Sequence, residues 1–181
     1  TITGKIVRKL RLGSQVEGMV ADDELAVLYV GEEKTGIWKF SAEPGGGLEG
    51  QLLPFSSEAD NENIRFDIEG LAVYKVSEET GYLIASSQGN DSYAIFSRQS
   101  PHEYLGSFRI IDGRRTDGVQ ETDGLDVTSS PLGRNFPAGM LVVQDGSNKT
   151  TGRPEPQNFK LVSWNDIARQ FVPPLKTANR H

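Results

Sequence analysis

Ile68-Glu69-Gly70-Leu71 has two counterparts in this chain, Val16-Glu17-Gly18-Met19 upstream and Thr122-Asp123-Gly124-Leu125 downstream. Each is an apolar residue or Thr, then a carboxylate, then Gly, then a large apolar residue. The carboxylates are 52 and 54 residues apart. A period in that range marks supersecondary units that stack or fan around an axis. An acid at the same point of each unit brings carboxylates from distant sequence into one small volume, so a metal site is the first chemistry to expect.

Working outward from the signatures, the pattern is all-β. Leu25–Val30 reads as a buried strand, and Gly36–Phe40 as its neighbour. Gly70–Val76, Tyr82–Ala85, Ser92–Phe96 and Tyr104–Ile111 follow in succession, then Leu125–Val127, Gly139–Val143 and Asn158–Trp164. Clusters of Gly, Asn, Asp and Glu punctuate them. Superposed, the repeats give an inner strand at the signature, a hydrophobic second strand and an aromatic-bearing third. A weaker fourth follows in the first two. That is a four-stranded meander, the blade of a β-propeller. Blades are expected at about 14–55, 64–112 and 120–165. Residues 1–12 read as the outer strand of a preceding blade, 165–171 as a short closing helix, and 173–181 as a tail. The partial propeller thus spans 1–172. Three blades do not close a ring, since propellers have about four to eight.

Composition narrows the chemistry. The 181 residues carry a formal net charge of −6, without the basic stripe of a nucleic-acid binder. No run is long enough to span a bilayer, so neither nucleic acid nor membrane is an expected partner. Residues 1–20 lack the features of a secretory signal, so any such signal has been removed or lies outside this chain. Without cysteine, thiol catalysis, disulfides and thiolate-bound zinc are excluded. Two histidines, His102 and His181, cannot build a His-rich site. A metal here is held by oxygen, which favours calcium or magnesium.

A second polar position also repeats, where the second strands end: Gly31-Glu-Glu33, Ser86-Ser-Gln-Gly-Asn90 and Gln144-Asp-Gly-Ser-Asn148. In a propeller such ends open around the central channel. Glu17, Glu69 and Asp123, with Glu33, Gln88 and Asn148, would ring one mouth. Asp67 shares a strand face with Glu69, and the loop Thr116–Gly124 adds Asp117 and Glu121. Carboxylates this crowded stay ionised only with bound cations. One Glu-Gly or Asp-Gly dipeptide means little, because such pairs are common in turns. Three in register, each with a polar strand end, carry the argument. Trp38 and Trp164 read as packing residues, His102 as exposed, and Asp22-Asp23-Glu24 and Glu78-Glu79 as solvated turns.

Asp67–Leu71, Tyr82–Asn90 with Ser92–Phe96, Thr116-Asp-Gly with Thr122–Asp126, and Gln157–Lys160 with Trp164 resemble the β-propeller phytases. Val16–Met19, Ala21–Glu24 and Ile37–Pro44 match the same family, and the resemblance covers residues 10–170. It implies a six-bladed ring and calcium-dependent removal of phosphates from myo-inositol hexakisphosphate (phytate). It implies Glu17, Glu33, Asp67, Glu69, Gln88 and Asp123 around a catalytic calcium cluster, and Asp117 and Asn148 at structural calcium sites. It implies in-line attack of a calcium-activated water or hydroxide, without a phosphoenzyme. The candidate catalytic residues are Glu17, Glu33, Glu69 and Asp123. Gln88, Arg114 and Arg115 are candidates for contact with substrate, the two arginines reading equally as a solvated turn. The family's N-terminal half, which supplies further acids and the Lys and Arg residues that hold phosphate, is not in this sequence. The isolated chain is therefore expected to be weak or inactive. Two readings stay open: part of a catalytic propeller acting on calcium-phytate, or a non-catalytic calcium-binding segment. Either the N-terminal half or a second copy would complete the ring. The family chemistry implies a secreted or periplasmic bacterial protein.

Overall fold

The computed structural model describes residues 2–114, 116–150 and 152–178. Three antiparallel meanders follow one another. The first has the order β1 (Val16–Asp22), β2 (Val27–Glu32), β3 (Gly36–Ser41) and β4 (Gln51–Leu52). The second repeats it as β5 (Ile68–Lys75), β6 (Gly81–Ser87), β7 (Ser92–Ser97) and β8 (Tyr104–Phe108). The third pairs β9 (Leu125–Thr128) with β10 (Met140–Asp145). A small hairpin follows, β11 (Lys149–Thr150) with β12 (Arg153–Pro154), and then β13 (Asn158–Ser163) pairs with the far edge of β10. A short helix α1 (Trp164–Ala168) closes the third sheet. The chain is all-β, with the serial meanders expected of a propeller segment.

The second sheet is covered on both faces, which its sequence encodes by period-two alternation of apolar residues on both sides. Tyr82 and Ile84 of β6, with Tyr93 and Ile95 of β7, pack with Leu141, Val143 and Trp164 of the third sheet and its helix. Leu83 and Ala85, with Ala94 and Phe96, turn the other way onto Tyr29 and Ile37 of the first sheet. Trp164 is fully buried and stacks on Tyr74 with ring centroids 3.8 Å apart, so it is the packing residue expected.

The signatures sit at equivalent irregularities. The β1–β2 register shifts between Val16 and Met19, and the β5–β6 register between Ile68 and Leu71. In each case the carboxylate and Gly form the bulged pair. A bulge bends the strand and re-aims its side chains, here at the carboxylate. The Gly has a different role. A Cβ on Gly18 would lie 2.0 Å from the Glu69 carbonyl oxygen, and one on Gly70 would lie 2.8 Å from the Leu125 amide nitrogen. Each inner strand thus touches the next through a bare Cα. Gly124, the third in the series, meets nothing within 4 Å.

Several expectations need correction. Residues 2–12 form no strand; a strand needs a paired neighbour, and this stretch is held instead by Arg8, which donates to Ser41 O and Gly47 O. The tail is docked as far as residue 178. The Lys176 amide donates to Tyr82 Oη at 2.7 Å, the Ala178 amide donates to Tyr74 Oη at 3.1 Å, and Trp164 Nε1 donates to Lys176 O. His102 is buried, edge-on to Tyr29, with Nε2 3.3 Å from Lys39 Nζ. Asp22 is not solvated either. Its carboxylate is fully buried and takes Arg98 in a two-pronged bond, 2.5 and 2.6 Å. Glu24 bridges Lys75 and Arg98.

Candidate functional site

The signature bulges and the ends of β2 and β6 meet at one end of the sheets. Two hydrogen bonds stitch them together, one between backbone groups and one from a side-chain hydroxyl. The Ile68 amide donates to Glu33 O at 3.0 Å, and Ser86 Oγ donates to Thr122 O at 2.8 Å. In each case the end of a second strand grips the start of the following signature. This junction delivers Glu17, Glu33, Asp67, Glu69 and Asp123 to one neighbourhood.

Electrostatics shows how close they are. Glu69 is buried, and its carboxyl is pushed up to about 7, first by burial and then by the charges of Glu17, Glu33, Asp123 and Asp67. Carboxylates from all three sheets therefore act on one side chain. The Glu33 carboxyl is also raised, by burial and then by the charges of Asp67 and Glu17, and it lies in hydrogen-bonding reach of Glu17 alone of the two. Two neutral amides order the rim. Gln88 Nε2 donates to Asp123 Oδ1 at 2.7 Å, and Gln15 Nε2 donates to Glu17 Oε1 at 2.8 Å. The Asp123 amide in turn donates to Gln144 Oε1 at 2.9 Å. Each rim acid keeps one carboxylate oxygen outside these bonds.

A polar pocket of about 420 Å³ opens beside Asp123, lined by Gln88, Asp91, Gln120, Glu121 and Gln157. The sequence places Glu121 here through its loop, whereas Asp91 reads there only as part of a turn. The Gly89-Asn-Asp91 cluster after the second strand was the available signal, and Asp91 indeed takes a positive-φ turn (φ 54°). Its carboxylate accepts the Glu121 amide at 2.9 Å and so ties the second and third sheets together.

Other predicted residues fall elsewhere. Asp117 and Asn148 belong to a second cluster, on the third sheet, where both contact the ammonium of Lys160. Arg114 is exposed on the wall of an adjoining cleft of about 1000 Å³, which also carries Arg109 and Lys149 and shares Asp91 and Gln120 with the polar pocket. Arg115 lies outside the described residues. Glu32, next to Glu33, is turned inward. It is buried and takes Trp38 Nε1 at 2.7 Å and Ser14 Oγ at 2.9 Å, which outweigh burial and hold its carboxyl below the usual range. It supports Glu33 from behind rather than joining the mouth.

The donor chemistry at the mouth is all oxygen and strongly anionic, as a hard dication requires. Among the described residues, no group of three or more His, Cys, Asp or Glu side chains is arranged to hold one ion alone.

Known proteins similar to this chain point to its family. The family model described as Phytase matches residues 1–179. A 3-phytase of Bacillus subtilis (strain 168) is 49% identical over 170 residues, which is 94% of this chain and 44% of that relative. The chain thus spans less than half the length of that relative. With a match over nearly its full length, the chain belongs to the phytase family.

Proposed function

We propose that this chain is the C-terminal half of a six-bladed β-propeller that hydrolyses phosphomonoesters of phytate with calcium. One observation carries the reading: Glu17, Glu33, Asp67 and Asp123, from all three sheets, converge on the buried Glu69. Such a cluster, unneutralised, repels the substrate as strongly as it repels itself. Bound calcium supplies the missing positive charge and Lewis acidity toward phosphoryl oxygens. Glu17, Glu33, Asp67, Glu69 and Asp123 are the residues that would hold it. Gln88 and Gln15 hold the rim carboxylates in place, and burial of Glu69 keeps the innermost acid from turning into solvent. Gln88 and Arg114 would contact substrate phosphates. Calcium and phytate outside the cell suit a secreted or periplasmic protein.

Hydrolysis is tested by phosphate release from calcium-phytate, by this chain alone and by this chain joined to the family's N-terminal half. The joined form is expected to turn over and to lose activity with chelator, and the chain alone to be weak or inactive. Full-rate hydrolysis by the chain alone would refute the half-site reading. Calcium-independent turnover by the joined form would refute the mechanism.

A second reading, association through the open ends of the segment, has its own support. Phe159 and Leu161 of β13 are 68% and 55% exposed, and Met19 of β1 is 60% exposed. Gly124 meets no neighbour where Gly18 and Gly70 each meet an inner strand. A further blade, from the N-terminal half or a second copy, would cover these positions.

A further inference from the structure

The third sheet contains a cation of its own. Lys160 lies on β13, where Phe159 and Leu161 on either side point outward. The strand is inverted: apolar side chains face solvent, and the charged one is 7% exposed. Its ammonium lies 2.8 Å from Asp117 Oδ1, 2.8 Å from Asp145 Oδ2, and 2.9 Å from both Asn148 Oδ1 and Asn158 Oδ1. Asp145 is fully buried, and a buried carboxylate demands a charge partner. Burial works to lower the Lys160 pKa, but its bonds to Asp117 and Asp145 and their charges raise it overall.

Four oxygens, two of them from carboxylates, are also what a divalent ion would take. Two of the four belong to Asp117 and Asn148, where the resemblance implied structural calcium. An ion bound at about 2.3–2.6 Å from those oxygens would occupy the volume of the ammonium. The two cannot coexist. We propose that Lys160 is the resident cation at this position. Its tethered ammonium replaces calcium there and serves as a positioning residue for the loop that presents Asp123.

The bonding path supports the second part. Asp117 Oδ2 accepts the Lys149 amide at 2.6 Å, which pins the β11–β12 hairpin. Asp145 Oδ1 accepts the amides of Gln120 and Ser147, both at 3.2 Å, and the Gly146 amide donates to Gln120 O at 2.9 Å. From Gln120 the chain runs through Glu121 to Asp123. The ammonium thus joins the two carboxylates that hold this loop at either end. The charge is covalently attached, so a chelator cannot remove it.

The inference is independent of calcium at the mouth, and its test separates the two. Radioactive calcium in equilibrium dialysis counts ions on the chain and on Asp117→Asn, Lys160→Met and the double variant, with Glu69→Gln as the control for the mouth. Amide hydrogen exchange at Lys149 and Gln120 is followed with and without chelator. Asp117→Asn is expected to leave the ion count unchanged, and the two amides to stay protected in chelator. Lys160→Met is expected to take up about one more equivalent, lost again in the double variant, and its two amides become calcium-dependent by about tenfold or more. The proposal is overturned if Asp117→Asn loses an ion, or if chelator strips protection from Lys149 and Gln120 in the unaltered chain. A folded Lys160→Met that takes no extra ion also overturns it. If that variant does not fold, Asp117→Asn and the exchange of the unaltered chain decide alone. A failure confined to the mouth shows as no response to Glu69→Gln, with the exchange result intact.

Discussion

Arg98 and Asp22 show how far one residue pair governs this fold. Both side chains are fully buried, and they join β1 to the end of β7 across 76 positions of sequence. Removing one partner strands a buried charge, which costs about 3–5 kcal/mol. Arg98→Met is expected to lose stability in that range, read from urea unfolding. Burial alone would raise the Asp22 carboxyl, but hydrogen bonds and charge from Arg98 outweigh it and hold it below the usual range. A lowered folded-state pKa contributes stability above the unfolded value, about 3.9, and loses it as pH falls through the lower folded value. Melting temperature should therefore drop steeply below about pH 4, and the slope attributable to this pair should vanish in Arg98→Met. An unchanged slope would assign acid sensitivity to other carboxyls. The pair itself was illegible in the sequence. Asp22-Asp23-Glu24 looks like any acidic turn until the fold brings a guanidinium to it.

At the scale of elements, the signature bulge links strand geometry to function. It aims the carboxylate at the mouth, while the adjacent Gly lets the next inner strand approach. Gly18→Ala puts a methyl group against the Glu69 backbone and is expected to cost about 1–3 kcal/mol. Gly124→Ala meets open space and should cost far less in this chain. Equal losses at the two positions, by thermal unfolding, would contradict the packing role. The signature was readable because Glu-Gly and Asp-Gly recur at fixed spacing, and the strands because alternation and turn residues recur with them. Most strands lie within a few residues of where the pattern put them. Residues 2–12 misled because an extended, apolar-flecked stretch is a strand only when it has a neighbour. The tail from Pro173 to Ala178 misled because its anchors are backbone amides bonded to Tyr74 and Tyr82, which leave no trace in composition. Lys160 was hidden for a similar reason. An inward lysine between two apolar residues reads as a surface strand until Asp145 is seen behind it.

At the scale of the molecule, the two ends differ from the middle. The second sheet is covered on both faces, whereas Phe159, Leu161 and Met19 remain exposed at the outer sheets. Light scattering is expected to show self-association of the isolated chain, weakened by a Phe159→Asp, Leu161→Asp double variant. A monomer at all concentrations would remove the second-copy reading and leave covering by the N-terminal half. The central claim is that acids from three sheets converge to bind divalent ions. Its most direct measurement is isothermal titration of calcium into the chain at neutral pH, beside Glu69→Gln and Asp123→Asn. The account predicts saturable binding, weakened in each variant by about tenfold, or about 1.4 kcal/mol. No binding, or isotherms indifferent to both substitutions, would contradict it.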